Sequence, residues 1–143
     1  MKKYKLIAPL EYKKMTKGEL ALICNGCGTS GWKGALVPET IYLLRVTEAC
    51  QIHDFMYFMG LTLEDKAEAD EVFLQNMNII INHCPWYLIP KLNSFREVRA
   101  NTYYLAVKHF GKKAFLEGKY GINYNAFPEK PKPFIKIKEP YQD

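Results

Sequence analysis

His53 and Asp54 stand side by side in a stretch that reads as helix, with Tyr57 four residues beyond the histidine. Neighbouring helical residues point about 100° apart, so His53 and Asp54 cannot bond each other and must address different partners. Tyr57 shares the face of His53, and Ala49 and Val46 continue that face backwards. A histidine on a packed stripe needs a partner for each ring nitrogen. Asp70 is the acid set among apolar neighbours, with Ala67, Ala69, Phe73, Leu74 and Met77 around it. If its helix lies antiparallel to the first, Asp70 and His53 meet across the interface. A carboxylate on one ring nitrogen fixes the tautomer and raises the basicity of the other, which would make His53 a general base for water. A buried His–Asp pair serving structure alone satisfies the same pattern.

A second chemical feature precedes that helix. Gly26, Gly28, Gly31 and Gly34 punctuate residues 25–35, and glycine tolerates the backbone angles that turn carbonyls inward. Hard cations such as calcium take about six to eight oxygen ligands, many of them loop carbonyls, plus a carboxylate. Asp54 would hold such a cation next to the water that His53 activates. An ordinary surface turn has the same composition.

Three helices are expected to position these groups. The first is predicted over residues 38–59, with Pro38 in its first turn, Glu39 at its positive end and Gly60 as its C-terminal stop. The second starts at Thr62, where Thr62 and Asp65 resemble a capping box with the shorter acid, and runs to about Asn82, short of Pro85. The short connection between them favours antiparallel neighbours. The third opens at Ser94, with Glu97 three residues on, and ends at Gly111. Residues 16–24 suit a short amphipathic helix. Pro128, Pro131 and Pro133 exclude helix downstream, and the alternation over residues 134–138 suits an edge strand or a docked tail.

Composition sets the outer bounds. With 143 residues, 48% apolar and 24% charged, the chain supports a single domain with a real core over residues 1–143. No apolar run approaches the ~18–20 residues of a membrane span. The basic start is not followed by the apolar core of a secretory signal. Four cysteines are too few for a disulfide scaffold. Charge is uneven: residues 1–37 hold seven basic and two acidic residues, residues 38–82 two and eight, and residues 83–143 eleven and five. An acidic middle suits a cation and basic flanks suit anions, although solvated helix faces produce the same pattern.

Taken in order, these residues resemble a family. Cys50-Gln51-Ile52-His53-Asp54-Phe55-Met56-Tyr57 is similar to the C-x-x-H-D-x-x-Y segment of secreted phospholipase A2. Cys27-Gly28-Thr29-Ser30-Gly31 resembles that family's C-G-x-G-G calcium loop, correctly placed before the helix. Ala69-Asp70-Glu71-Val72-Phe73 resembles the A-D-x-x-F/L segment of the compact phospholipase A2 domains of parvovirus capsids and of some bacterial and phage proteins. The likeness covers about residues 16–77. It implies a mainly α, phospholipase A2-like fold with two long antiparallel helices preceded by a calcium loop, to which the capping and proline signals add a third helix and an extended tail over residues 92–143.

The resemblance also implies roles. His53 takes the family's general base, Asp70 the acid that orients it, and Tyr57 the supporting phenol. Asp54 takes the calcium carboxylate, and Gly26, Gly28 and Ser30 the three loop carbonyls on calcium. The Gly28 amide would help bind the oxyanion, and a disulfide would join Cys27 to Cys50. The sequence departs from the pattern where Ser30 replaces a glycine and Ala49 replaces a second cysteine. The implied reaction is hydrolysis of the sn-2 ester of a glycerophospholipid at a membrane surface, with calcium as cofactor.

Other readings remain open. Cys24-x2-Cys27 with Cys50-x2-His53 has the ligand types and local spacings of a structural zinc site. A phospholipase-like fold used only for binding is a further alternative. Lys108, Lys112 and Lys113 around Phe110, with Tyr103 and Tyr104, could meet phosphates. Helical spacing instead predicts Tyr103, Val107 and Phe110 in the core, and no nucleic-acid partner is expected. Exposed lysines with Trp32, Trp86 and Tyr87 would suit an anionic membrane surface, although packing of Trp86 and Tyr87 is the plainer expectation. Cys84 reads as a buried thiol beside a surface His83. Calcium use and a Cys27–Cys50 bridge would suit an oxidising exterior, while no export signal is seen. A virion-associated or lysis-released protein reconciles the two.

Overall fold

The computed structural model describes residues 4–23, 38–84, 90–112, 114–115 and 140–141. Among these the chain is mainly helical. A short strand β1 (Leu6–Ile7) leads into α1 (Leu10–Lys14) and α2 (Lys17–Ile23). A hairpin of β2 (Thr40–Ile41) and β3 (Leu44–Arg45) precedes α3 (Thr47–Met59), α4 (Leu63–Asn82), α5 (Pro90–Phe110) and a last strand β4 (Pro140–Tyr141).

The start of α2 follows from Thr16 and Glu19, which bond reciprocally: Glu19 Oε2 accepts from Thr16 N at 2.7 Å and Thr16 Oγ1 accepts from Glu19 N at 3.3 Å. The expected short helix is therefore present, one residue inside Thr16. The Thr62–Asp65 box at α4 is likewise formed in both directions, with Asp65 Oδ2 accepting from Thr62 N at 3.0 Å and Thr62 Oγ1 from Asp65 N at 3.2 Å.

Helices α3 and α4 run antiparallel. Gly60 faces Asp65, Tyr57 and His53 both reach Asp70, and His53 stacks on Phe73, so one register falls as the other rises. Ala49, Cys50, Ile52, Phe55 and Met56 of α3 are buried, as are Ala69, Val72, Phe73, Met77, Ile80 and Ile81 of α4. Helix α5 covers the other side of α4 with Ala100, Tyr103 and Val107. Helix α3 thus lies within the core and is apolar around most of its circumference, as a central helix must be.

The first strand is held from two sides. Its Leu6 and Ile7 pair antiparallel with Tyr141 and Pro140. On the other side, the buried Asn76 amide accepts from Ile7 N at 2.7 Å and donates to Ile7 O at 2.8 Å. The end of the tail therefore docks on β1. Residues 134–138, predicted as strand or docked tail, lie outside the described residues.

Three expectations need correction. Residues 38–46 are not helix. Tyr42 and Leu43 have φ of 44° and 71°, the paired positive angles of a tight hairpin turn, and α3 begins at Thr47. Helix α5 holds that turn in place: Arg96 Nη2 donates to Tyr42 O at 2.9 Å and Tyr103 Oη donates to Thr40 O at 2.9 Å. Second, Ser94 does not cap α5, which already runs from Pro90, a residue suited to a first helical turn. Third, Phe110 is 67% exposed rather than in the core, because it lies at the last residue of α5, where the packed stripe ends. None of the described helices is long and apolar enough to cross a membrane.

Candidate active site

The site is built on one polar cluster inside the α3–α4–α5 packing. Helix α3 points His53 and Tyr57 at α4, and Asp70 points back from α4. His53 Nε2 lies 2.8 Å from Asp70 Oδ1, and Tyr57 Oη donates to the same oxygen at 2.6 Å. His53 and Asp70 are each 2% exposed and Tyr57 5%. The imidazole is fixed by rings as well: its centroid lies 4.1 Å from Tyr57 and 4.7 Å from Phe73, with Phe73 stacked at 30°. Phe115 then packs edge-on against Tyr57 at 5.4 Å.

The other oxygen of the acid has its own partner. Lys66, one turn before Asp70 on α4, donates from Nζ to Asp70 Oδ2 at 2.7 Å. Lys66 is itself buried, and its remaining hydrogen bonds go to Val107 O at 3.1 Å and Lys108 O at 3.4 Å, carbonyls in the last turn of α5. Its role was not read from the sequence, where it sits in an acid-rich run that suggests a solvated face. The usable signal was the four-residue spacing from Lys66 to Asp70, which puts them on one helical face.

These contacts set the protonation states. Burial by itself raises the Asp70 carboxyl, but His53, Lys66 and Tyr57 together hold it below the ordinary carboxylate value. Burial, and then the charge and hydrogen bond of Asp70, push the Tyr57 phenol well above its ordinary value. Asp70 is therefore an anion and Tyr57 a fixed donor. An ionised carboxylate only accepts, so the proton in the His53–Asp70 bond belongs to Nε2, and in the neutral imidazole the basic nitrogen is Nδ1.

Asp54 lies next to His53 on α3 and is buried at 7% exposure. Its carboxylate is a hard oxygen donor of the kind calcium takes. The carbonyls expected to complete that set, from Gly26, Gly28 and Ser30, lie outside the described residues, as does the Gly28 amide. Among the described residues no group of three or more His, Cys, Asp or Glu side chains is placed to hold a metal ion. Cys50 is fully buried and disulfide-bonded, while Cys24 and Cys27 lie outside the described residues. Cys84 is a free thiol, half-buried rather than buried, beside an exposed His83. Trp32, Trp86, Tyr87 and Lys113 also lie outside the described residues. Comparison of the chain with family models, curated proteins and solved structures finds no match.

Proposed function

We propose that the chain is a calcium-dependent phospholipase A2-like hydrolase that cleaves the sn-2 ester of glycerophospholipids with a histidine-activated water. The observation that supports this most is the His53–Asp70–Tyr57 arrangement: Asp70 Oδ1 receives both His53 Nε2 at 2.8 Å and Tyr57 Oη at 2.6 Å. That geometry supports Nδ1 as the base, with a carboxylate in place to stabilise the imidazolium that forms. His53 takes a proton from water as the oxygen attacks the ester carbonyl, and later returns it to the departing alkoxide. The proton ledger closes without a covalent acyl intermediate.

Asp54 and the carbonyls of Gly26, Gly28 and Ser30 would hold calcium, which when bound would supply electrostatic stabilisation of the oxyanion and of the lipid phosphate. Two observations favour this reading over a structural zinc site. Cys50 carries a disulfide rather than a thiolate, and His53 Nε2 is engaged by Asp70. A Cys–Cys–Cys–His tetrahedron would need both groups. The reading is tested by incubating wild type and His53→Gln with phosphatidylglycerol vesicles, in calcium or in chelator. Release of fatty acid by wild type in calcium alone, absent from His53→Gln, is expected. Equal release by both proteins would overturn it.

A further inference from the structure

Among the described residues Lys66 is the one cation buried in the cluster, and the hydrolytic scheme makes no use of it. An ammonium carries three N–H bonds, and three acceptors surround it: Asp70 Oδ2, Val107 O and Lys108 O, at 2.7, 3.1 and 3.4 Å. The two carbonyls stand in the last turn of α5, at the negative end of the helix dipole, where Val107 O also accepts from Gly111 N at 2.8 Å. The ring of Tyr57 lies 5.6 Å from Nζ. One point charge therefore joins the acid that orients His53 to the end of a helix that begins twenty residues after that acid.

We propose that Lys66 is a positioning residue for the general base. It acts through Asp70, never on substrate. Two hydrogen bonds converge on Oδ1, from His53 and Tyr57, and either could be kept while the carboxylate swung about its Cβ–Cγ bond. The Lys66 bond to Oδ2 removes that freedom, because both oxygens are then held from different directions. The ammonium in turn is held by α5, so the orientation of the imidazole depends on the docking of α5. The effect on turnover rests on the hydrolytic reading, whereas the effect on the His53–Asp70 bond does not.

The surroundings make this testable by chemical rescue. A cavity of about 400 Å³ is lined by Lys66 and Asp70 together with Tyr104, Lys108 and Lys112. Lys108 and Lys112 are exposed, so the cavity has a solvent-facing rim. Removing the Lys66 side chain would extend this space to Asp70 Oδ2, within reach of a small alkylammonium ion.

The experiment uses the full chain with Lys66→Met, Lys66→Gln, Lys66→Arg and Lys66→Ala. Two readouts are taken: the His53 Nε2–H resonance in proton NMR, and kcat and KM for sn-2 ester hydrolysis. In Lys66→Met the resonance moves or disappears, and kcat falls about 10- to 100-fold with KM changed less than about twofold. Lys66→Arg restores both, and propylammonium restores both in part to Lys66→Ala. Should Lys66→Met not fold, Lys66→Gln decides, since it keeps a donor and loses the charge. An unchanged resonance in a folded neutral variant overturns the proposal, as does absence of propylammonium rescue in folded Lys66→Ala. If wild type hydrolyses no lipid, the hydrolytic reading fails, and the resonance alone decides the place of Lys66.

Discussion

Gly111 lies directly against the phenol of Tyr57: a Cβ on Gly111 would stand 2.5 Å from Tyr57 Oη. The same residue ends α5, with its N–H donating to Val107 O at 2.8 Å. Helix α5 can thus deliver the carbonyls that hold Lys66 only because no side chain at position 111 pushes Tyr57 aside. Gly111→Ala is expected to cost about 1–3 kcal/mol of stability through overpacking and to displace Tyr57 from Asp70. Chemical denaturation together with the tyrosine hydroxyl resonance checks both consequences.

Tyr57→Phe removes one of two donors from Asp70 Oδ1 and leaves His53 Nε2 in place. The loss of a hydrogen bond to a buried carboxylate should cost about 1–3 kcal/mol. Turnover should fall about tenfold, well short of the loss in His53→Gln. Side-by-side kinetics of the two variants measures the difference, and equal losses would show that Tyr57 does more than orient Asp70.

Stability should depend on pH at both ends of the scale. The Asp70 carboxyl is held below its ordinary value in the fold, so the unfolded chain takes up its proton first. Its contribution is therefore complete above about pH 4 and declines as pH drops through the lower folded value. The Tyr57 phenol is raised, so the unfolded chain loses that proton first. Its contribution is complete below about pH 10 and declines as pH rises further. Denaturation midpoints against pH should show a flatter acid limb in Asp70→Asn and a flatter alkaline limb in Tyr57→Phe.

Asn76 acts as a strand surrogate for β1, and its replacement tests how the first strand is held. Asn76→Ala leaves the amide and carbonyl of Ile7 without their side-chain partners and should cost about 1–3 kcal/mol. Hydrogen exchange at the Ile7 amide should accelerate while exchange in the middle of α3 follows only the global change.

Local rules made much of this legible. The Thr62–Asp65 box marked the start of α4 because both partners lie within one turn, and antiparallel packing of α3 and α4 followed from a connection too short for anything else. That packing brought Asp70 to His53 as expected. The hairpin at Tyr42 and Leu43 was not legible: paired positive φ angles normally announce themselves with Asn or Gly. Here they are imposed from outside, by Arg96 on Tyr42 O, Tyr103 on Thr40 O, and Arg99 over the Tyr42 ring at 5.2 Å. Lys66 escaped for a related reason. Its carbonyl partners are about forty residues away on α5, and no local pattern encodes them.

We propose that His53 directs water at one ester bond. It is tested most directly with a phosphatidylglycerol carrying different acyl chains at sn-1 and sn-2, incubated with calcium and resolved by mass spectrometry. Release of the sn-2 acid alone is expected, its carboxyl labelled when the reaction runs in ¹⁸O water, with no release by His53→Gln. Release of the sn-1 acid in equal amount, or undiminished release by His53→Gln, would contradict it.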